Sequence, residues 1–405
     1  MLSPEENRRL TEVGPGTPAG EWLRRYWHPI AVSDRWDGIK THWDYDAPIT
    51  FDGEAGTVGS WADRLANFKG APTPVRIMGE DLVLFRDGAG KPGLIGKFCP
   101  HRGTSMEFGR IEDDGISCCY HGWTFDVAGN CLRMPAEPAD STFKDKVKHK
   151  AYPVEEMAGL LWAYMGPGEP PLMPRFDVFA REDGVRAVEN FGLWPANYFQ
   201  ICENSVDQAH TTILHGGAGG ERRDIWGAEM PQTKWEAMEL GIKATADRPG
   251  LNYKRASYYI SPTMNRLPQP WPGGKFKWPR MSANWRTPVD DHHTLVLSVC
   301  FTPEVDGKLP ELPEGLTFHV GDNLLVHREQ DYRAMVSQGP TFDRSTERLA
   351  TSDEGVILLR KMAFDGIKAV EEGRDPLGVR RDGDPKAIID LTGVVHDALN
   401  EPVSV

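Results

Sequence analysis

Apolar and polar positions change rhythm several times along this chain. Ser3-Pro4-Glu5-Glu6 sets a capping residue before a proline at the first helical position and a glutamate at the third, which predicts a helix. Thr17-Pro18 opens a second helix running through Trp22 and Tyr26. From Pro74 the pattern becomes short β-type runs, Val75–Met78 and Leu82–Arg86, broken by turn clusters such as Asp87-Gly88-Ala89-Gly90 and Ala128-Gly129-Asn130. These runs predict a small antiparallel β domain ending near Leu160–Met165.

Gly166-Pro167-Gly168-Glu169-Pro170-Pro171 is a composition break of the kind that separates domains. Beyond it a helical stretch is expected around Asn197–His215, a strand at Thr294–Phe301, and C-terminal helices, one beginning at Thr351 with Glu354 completing a capping box. The mixture predicts an α+β second domain. Asp37–Phe68, polar and containing Gly and Trp, is assigned to no element, and no internal repeat or low-complexity tract is present.

A chain of 405 residues with 40% hydrophobic content, 13 Trp, 16 Phe and 10 Tyr can bury large cores, and its length suits two domains. A net charge of −13 opposes binding to a phosphate backbone, so nucleic acid is not an expected partner, whereas an acidic surface suits a basic protein. MLSPEENRRL lacks the apolar core of a signal peptide, and no run approaches the roughly 20 apolar residues of a membrane span, so a cytoplasmic location is expected. Six cysteines in so long a chain make no disulfide scaffold; in a reducing compartment, spaced cysteines point to metal or catalysis.

Cys99-Pro100-His101 is followed after sixteen residues by Cys118-Cys119-Tyr120-His121, a C-x-H and then a C-x-x-H pattern. Each half offers one thiolate and one imidazole. Thiolates hold ferric iron, and two imidazoles in place of two thiolates remove negative charge and raise the reduction potential of a two-iron cluster. Two Cys and two His also satisfy tetrahedral zinc, but zinc-finger spacing pairs Cys with Cys and His with His. With their neighbours, Cys99-Pro100-His101-Arg102-Gly103 and Cys118-Cys119-Tyr120-His121-Gly122-Trp123 resemble the two loops of Rieske iron–sulfur domains. The resemblance implies Cys99, His101, Cys118 and His121 as ligands of a [2Fe-2S] cluster. Cys119 is free in that pattern and reads as a small buried or neighbouring thiol, and Cys131, Cys202 and Cys300 read as packing residues.

The segment ENSVDQAHTTILH carries Asp207, His210 and His215. On a helix Asp207 and His210 share a face, while His215 lies off it, just ahead of Gly216-Gly217 where the chain can turn back. Alone, the stretch suits an ordinary helix end. Behind a Rieske motif it resembles the iron-binding segment of Rieske non-heme iron oxygenase α subunits, in which two histidines and a carboxylate leave the other iron positions open for oxygen and substrate.

In that family the carboxylate comes from a C-terminal helix, and HREQDYRAMVSQGP is the matching segment, which implies Asp331 rather than Glu329 or Asp322. The stretch from Gly339-Pro340 through Asp343-Arg344, Glu347-Arg348-Leu349 and Thr351-Ser352-Asp353 resembles the phthalate-dioxygenase-like branch. The resemblance gives Asp207 a different role: bridging a cluster-binding histidine, here His121, of one protomer to His210 of the next, which makes a homotrimer or a stacked pair of trimers part of the mechanism.

The resemblance spans nearly the whole chain. It implies an N-terminal helical segment (1–45) packing on the catalytic domain, an antiparallel β Rieske domain (46–165), and a catalytic domain (166–405) of helix-grip (START-like) fold with an antiparallel sheet and helices. The implied cofactors are the [2Fe-2S] cluster, a mononuclear Fe(II) and O2 as co-substrate, with NADH acting through a separate flavin and iron–sulfur reductase or a ferredoxin. No dinucleotide fingerprint and no plant-type four-cysteine spacing is present for a built-in reductase.

The expected reaction is dihydroxylation of a small aromatic carboxylate such as a phthalate-type acid. A monooxygenase or O- or N-demethylase is the alternative within the class; a Rieske electron-transfer protein or a zinc-stapled binding module is the alternative outside it. Candidate substrate contacts are Asn197, Asn204 and Arg255, with Arg222 and Arg223 as further cations for a carboxylate. Gly216–Gly220 reads as a turn that gates the pocket, not a phosphate loop, and Trp123, Trp162, Trp194 and Trp285 read as core.

Overall fold

The computed structural model describes residues 1–33, 70–216, 229–251, 253–269, 280–304, 307 and 327–391. The unassigned stretch Asp37–Phe68, the boundary at 45/46, Gly217–Gly220, Arg222, Arg223, Asp322 and the side chain of Glu329 lie outside the described residues.

Helix α1 (Pro4–Thr11) begins as its sequence requires: Ser3 Oγ accepts from the Glu6 backbone N–H, and the Glu6 carboxylate accepts from Ser3 N–H. Helix α2 (Pro18–Leu23) is capped by Thr17 and stops before Tyr26, because the chain turns directly into strand β1 (Trp27–Val32). That strand corrects the expectation of a wholly helical N-terminal segment. All six of its residues are buried, and its partner is distant in sequence.

The next strands are β2 (Thr73–Ile77), β3 (Glu80–Arg86), β4 (Pro92–Gly96), β5 (Arg110–Glu112), β6 (Gly115–Ser117), β7 (Thr124–Phe125), β8 (Cys131–Arg133), β9 (Ala151–Tyr152), β10 (Val154–Met157) and β11 (Leu160–Tyr164). They form three sheets, ordered β1-β11-β10, β2-β3-β4-β9 and β5-β6-β7-β8. Successive residues of a strand point to opposite faces, and the second sheet uses both. Val75, Ile77, Leu82, Leu84 and Leu94 enter the large core shared with the rest of the molecule, while Val83, Phe85 and Ile95 face a second core built around Cys99, Cys118 and Trp123. The loops that carry the cysteines therefore stand on their own packed base.

The hairpin turns Met78-Gly79 and Ala158-Gly159 have positive φ at both residues, 47° and 76°, and 53° and 80°. Such turns match the twist of the paired strands. The first also donates its two N–H groups to Pro288 O and Val289 O of the downstream sheet, fixing one β layer on the other.

In the second half, β12 (Arg175–Phe176) precedes β13 (Gly184–Trp194), helix α3 (Tyr198–Asn204), β14 (Gln232–Met238), β15 (Gly241–Arg248), β16 (Tyr253–Ile260), β17 (Met264–Gln269), β18 (Arg280–Asp290), β19 (His293–Pro303), helix α4 (His327–Val336), helix α5 (Glu354–Glu371) and β20 (Ile388–Ile389). A seven-stranded antiparallel sheet, β13-β19-β18-β17-β16-β15-β14, holds α5 on one face, giving the expected α+β architecture. Helix α5 starts at Glu354 after a 3-10 turn over Thr351–Asp353, so the expected capping box is displaced: the Asp353 carboxylate, not Glu354, accepts from Ala350 N–H.

A methyl added at Gly366 of α5 would overlap the indole Nε1 of Trp22, so glycine is needed there for close approach of the helix to α2. Gly366→Ala should destabilise by about 1–3 kcal/mol in urea unfolding, the cost of overpacking a filled core.

Buried charges tie α3 to the C-terminal half. Arg344, with no exposed surface, donates from Nε and Nη2 to Glu203 at 2.9 and 2.7 Å. Arg360 of α5 donates from Nε to the same carboxylate at 2.7 Å and also pairs with Glu347. Arg344 Nη1 reaches Asn7 Oδ1 at 3.0 Å, so α1 joins the same network. The Gly339–Asp353 stretch, noted in the sequence only as a resemblance, thus closes around the end of α3.

Candidate functional site

The two cysteine loops are built alike. Gly103 N–H donates to Cys99 O and Gly122 N–H to Cys118 O, each glycine has φ +74°, and the Cys99 and Cys118 N–H groups donate onward to Thr104 O and Trp123 O. A left-handed turn of this kind suits glycine. The fold brings the two loops together: the His101 and His121 rings lie 4.5 Å apart, and His101 stacks on Trp123 at 4.4 Å. Cys99 and Cys118 are buried, and burial pushes the Cys99 thiol up to about 11, offset in part by the His101 backbone N–H and reinforced by Cys118. An environment that disfavours free thiolates, with two imidazoles facing them, fits a cluster whose irons supply the compensating positive charge. Cys119 is exposed, so of the two readings, buried or neighbouring thiol, only the second stands; Cys131, Cys202 and Cys300 are buried as expected.

Helix α3 ends at Asn204, so Asp207 and His210 do not sit on one continuous α-helix as the spacing suggested. The chain turns through Ser205–Ala209 and resumes as a π-helical turn over Thr211–His215. Wider i→i+5 winding brings residues five apart to one side, which explains how His215 joins His210 instead of lying off its face. The two rings are 5.1 Å apart. Asp331, from α4, completes the group: donor atoms of His210, His215 and Asp331 all lie within 4.8 Å of one another.

The surroundings fit a metal. Asp331 Oδ1 lies 3.5 Å from His210 Nε2 and 3.3 Å from His215 Nε2, so both Nε2 atoms face the carboxylate. His215 Nδ1 lies 2.7 Å from Gln330 Oε1, and an amide oxygen can only accept, so the proton sits on Nδ1 and Nε2 is left as the metal-facing lone pair. Asp207 Oδ1 accepts from the backbone N–H groups of Ala209 and His210 at 2.8 and 3.3 Å, and its Oδ2 stands 3.5 Å from His210 Nδ1. Burial would lower the basicity of His210, but Asp207 and Asp331 outweigh it and leave it raised. Two imidazoles and one carboxylate, each imidazole oriented by a second group, are the donor set of a non-heme Fe(II) site. Gln330→Ala should weaken Fe(II) binding about 10–100-fold, measured by competition with a fluorescent chelator, through loss of the group that orients His215.

These three side chains open into a cavity of about 150 Å3. Phe191, Trp194, Ile201, Leu267, Val296 and Met335 form its apolar wall; Asn204, Arg255, Ser257, Asn265, Asn284 and Arg286 supply polar groups. A volume of that size accommodates one benzene-sized ring. Asn204 Nδ2 sits between the triad members, 3.4 Å from His210 Nε2 and 3.3 Å from Asp331 Oδ1.

Of the residues expected to contact substrate, Asn204 and Arg255 line this cavity. Asn197 does not. It is fully buried as the N-cap of α3, its Nδ2 donating to Thr11 O and Asp291 O and its Oδ1 accepting from Phe199 N–H. Trp194, expected as core, is also part of the wall. Gln330, Asn265, Asn284 and Arg286 were not foreseen. For Asn284 and Arg286 the sequence signal is polar residues at every second position of β18, Ser282, Asn284 and Arg286, a pattern that marks two strand faces without saying which meets water.

Residues 61–153 match the family model of the Rieske [2Fe-2S] domain. The chain is 33% identical, over 99% of its length and 89% of the relative's, to the 5,5′-dehydrodivanillate O-demethylase oxygenase subunit of Sphingobium sp.. It is 34% identical over 92% of its length, and 87% of the relative's, to the phenoxybenzoate dioxygenase subunit alpha of Ectopseudomonas oleovorans. With the phthalate 4,5-dioxygenase oxygenase subunit of Pseudomonas putida it shares 30% identity over 98% of this chain and 93% of that one. Among solved structures, NdmA of Pseudomonas putida CBB5 superposes with a TM-score of 0.64 at 20% identity, covering 88% of this chain and 94% of that one, a likeness of fold.

Proposed function

Because the chain belongs to the α subunits of the Rieske non-heme iron aromatic ring-hydroxylating oxygenases, in their phthalate-dioxygenase-like branch, we propose that its cavity takes a small aromatic carboxylate for dihydroxylation beside an iron held by His210, His215 and Asp331. As a member of that family it is the oxygenase component of a multicomponent system, with a [2Fe-2S] Rieske cluster, a mononuclear iron, O2 as co-substrate and electrons from a separate reductase. The cluster would be held by Cys99, His101, Cys118 and His121. When bound, the mononuclear iron supplies activation of O2 with electrons relayed from the cluster.

The observation that carries the reading is the meeting of His210, His215 and Asp331 at a cavity of one-ring size that pairs an apolar patch with polar groups. Apolar side chains exclude water and hold the ring, and Asn204 braces His210 against Asp331. Asp207, a third exposed at its side chain, has its second oxygen turned toward His210 and remains able to accept from the partner subunit's His121. That bridge makes a homotrimer, or two stacked trimers, the working assembly. We place the protein in the cytoplasm; among the described residues no helix is long and apolar enough to cross a membrane.

The relatives include two dioxygenases and an O-demethylase, so the second reading is oxidative demethylation of a methoxy-substituted acid. A product screen with a surrogate reductase, covering aromatic acids, methyl ethers and N-methyl compounds, separates the two by mass. Two added oxygens on an aromatic acid is the expected result; a lost methyl would give the second reading, and no oxygenated product from any acid would reject both.

A further inference from the structure

The buried arginines of this fold are, with few exceptions, matched to carboxylates. Arg24 pairs with Glu80, Arg86 with Glu156, Arg266 with Asp177, Arg344 with Glu203, and Arg360 with Glu203 and Glu347. Arg248 spends its guanidinium on the hydroxyls of Thr211 and Thr212 and on Glu229 O. Arg286 differs. It is 6% exposed and lines the triad cavity. Its side chain makes one hydrogen bond, from Nη1 to Asn284 O at 3.0 Å, its buried Nε has no acceptor, and among the described residues no Asp or Glu forms an ion pair with it.

A guanidinium carries five donors in a planar fork, and leaving most of them unmet in a buried position is costly. Burial holds Arg286 below the usual arginine range, although Cys202, Tyr259 and Asp331 oppose that shift. A ligand bringing a planar anion with two oxygens would satisfy the fork and restore the charge balance. The same cavity carries an apolar patch, so an anion borne on a ring can pack that ring against Phe191, Val296 and Met335.

We propose that Arg286 is the residue that recognises the carboxylate of the substrate, setting the acid group against β18 and the ring against the apolar wall. This rests on the reading of the cavity as the oxygenase substrate site, and it places the main acid-binding role on Arg286 instead of Arg255. Arg255 lines the same cavity and adds positive charge without needing to touch the ligand.

The test measures binding, independently of turnover. Dissociation constants for 3-methoxybenzoate and 3-methoxybenzamide are determined by calorimetry under anaerobic conditions on the cluster- and Fe(II)-loaded protein, Arg286→Gln and Arg286→Lys. The wild type should prefer the acid over the amide by about 10–100-fold, the worth of a charge-assisted pair. Arg286→Gln should bring that ratio close to unity with unchanged iron content and cluster spectrum, and Arg286→Lys should restore part of it. If Arg286→Gln does not retain its cluster, the lysine variant decides alone, by a ratio reduced but above unity. A wild type without acid preference, or variants that keep the full preference, would overturn the assignment. The product screen is read separately: oxygenated acids alongside an unchanged preference in the variants would reject Arg286 and leave the oxygenase reading standing, whereas a lost preference without oxygenated products would do the reverse.

Discussion

Asp331→Ala should abolish product formation, to below one part in about a thousand of the wild-type rate, while the visible spectrum of the Rieske cluster remains. The magnitude follows from the geometry. His210 and His215 leave a metal with two neutral donors once the carboxylate is removed, and Asp331 is the acid whose oxygen stands within 3.5 Å of both imidazoles. A site reduced to two ligands loses both affinity and the charge that balances Fe(II). The cluster is unaffected because its loops stand on the separate core around Cys99, Cys118 and Trp123. Turnover assays with a surrogate reductase, together with iron analysis, check this. Retained turnover would mean that another carboxylate serves the metal.

Glu203→Ala should destabilise the catalytic half by about 3–5 kcal/mol, since it leaves buried cations without their partner. Arg344 would keep only Asn7 and Phe342 O as acceptors, while Arg360 would keep Glu347. The sign of the pH dependence is fixed by the same contacts. Burial pushes the Glu203 carboxyl up, but Arg344 and Arg360 outweigh burial and hold it below the usual glutamate value. A carboxyl depressed in the folded state adds stability above its unfolded value of about 4.3, and that stability is lost as pH falls through the folded value. Urea unfolding followed by tryptophan fluorescence should therefore give a lower midpoint for Glu203→Ala at pH 7 and a smaller loss of stability on acidification than in the wild type. Glu203 adjoins Asn204, so iron occupancy should fall as well.

How much of this was legible beforehand depends on whether the signal is local. The cluster loops were readable because thiolate, imidazole and glycine must recur at fixed short spacing to close each turn, as the matching hydrogen bonds of Gly103 and Gly122 confirm. The cap of α1 was readable for the same reason. The pairing of β1 with β11 was not, because an apolar six-residue run beside a helix gives no hint of a partner so far along the chain. Met78-Gly79 and Ala158-Gly159 escaped as hairpin turns because neither has the Asn or Asp that usually accepts positive φ.

At the site, the two histidines could be named, but a 3.6-residue repeat placed His215 on the wrong face, and only the π-helical turn reconciles it with His210. Asn197 was misassigned because closeness in sequence to the metal segment is not closeness of side chain: its amide points to Thr11 and Asp291. Asp331 came from family resemblance, as no spacing rule links the π-helical turn that carries the histidines to α4.

Anomalous diffraction at the iron edge from crystals of the iron-loaded protein tests the central claim directly. The account predicts two separate iron positions in each chain, one between Cys99, His101, Cys118 and His121 and the other between His210, His215 and Asp331. Iron at the first position alone, with the second empty in fully loaded protein, would contradict it.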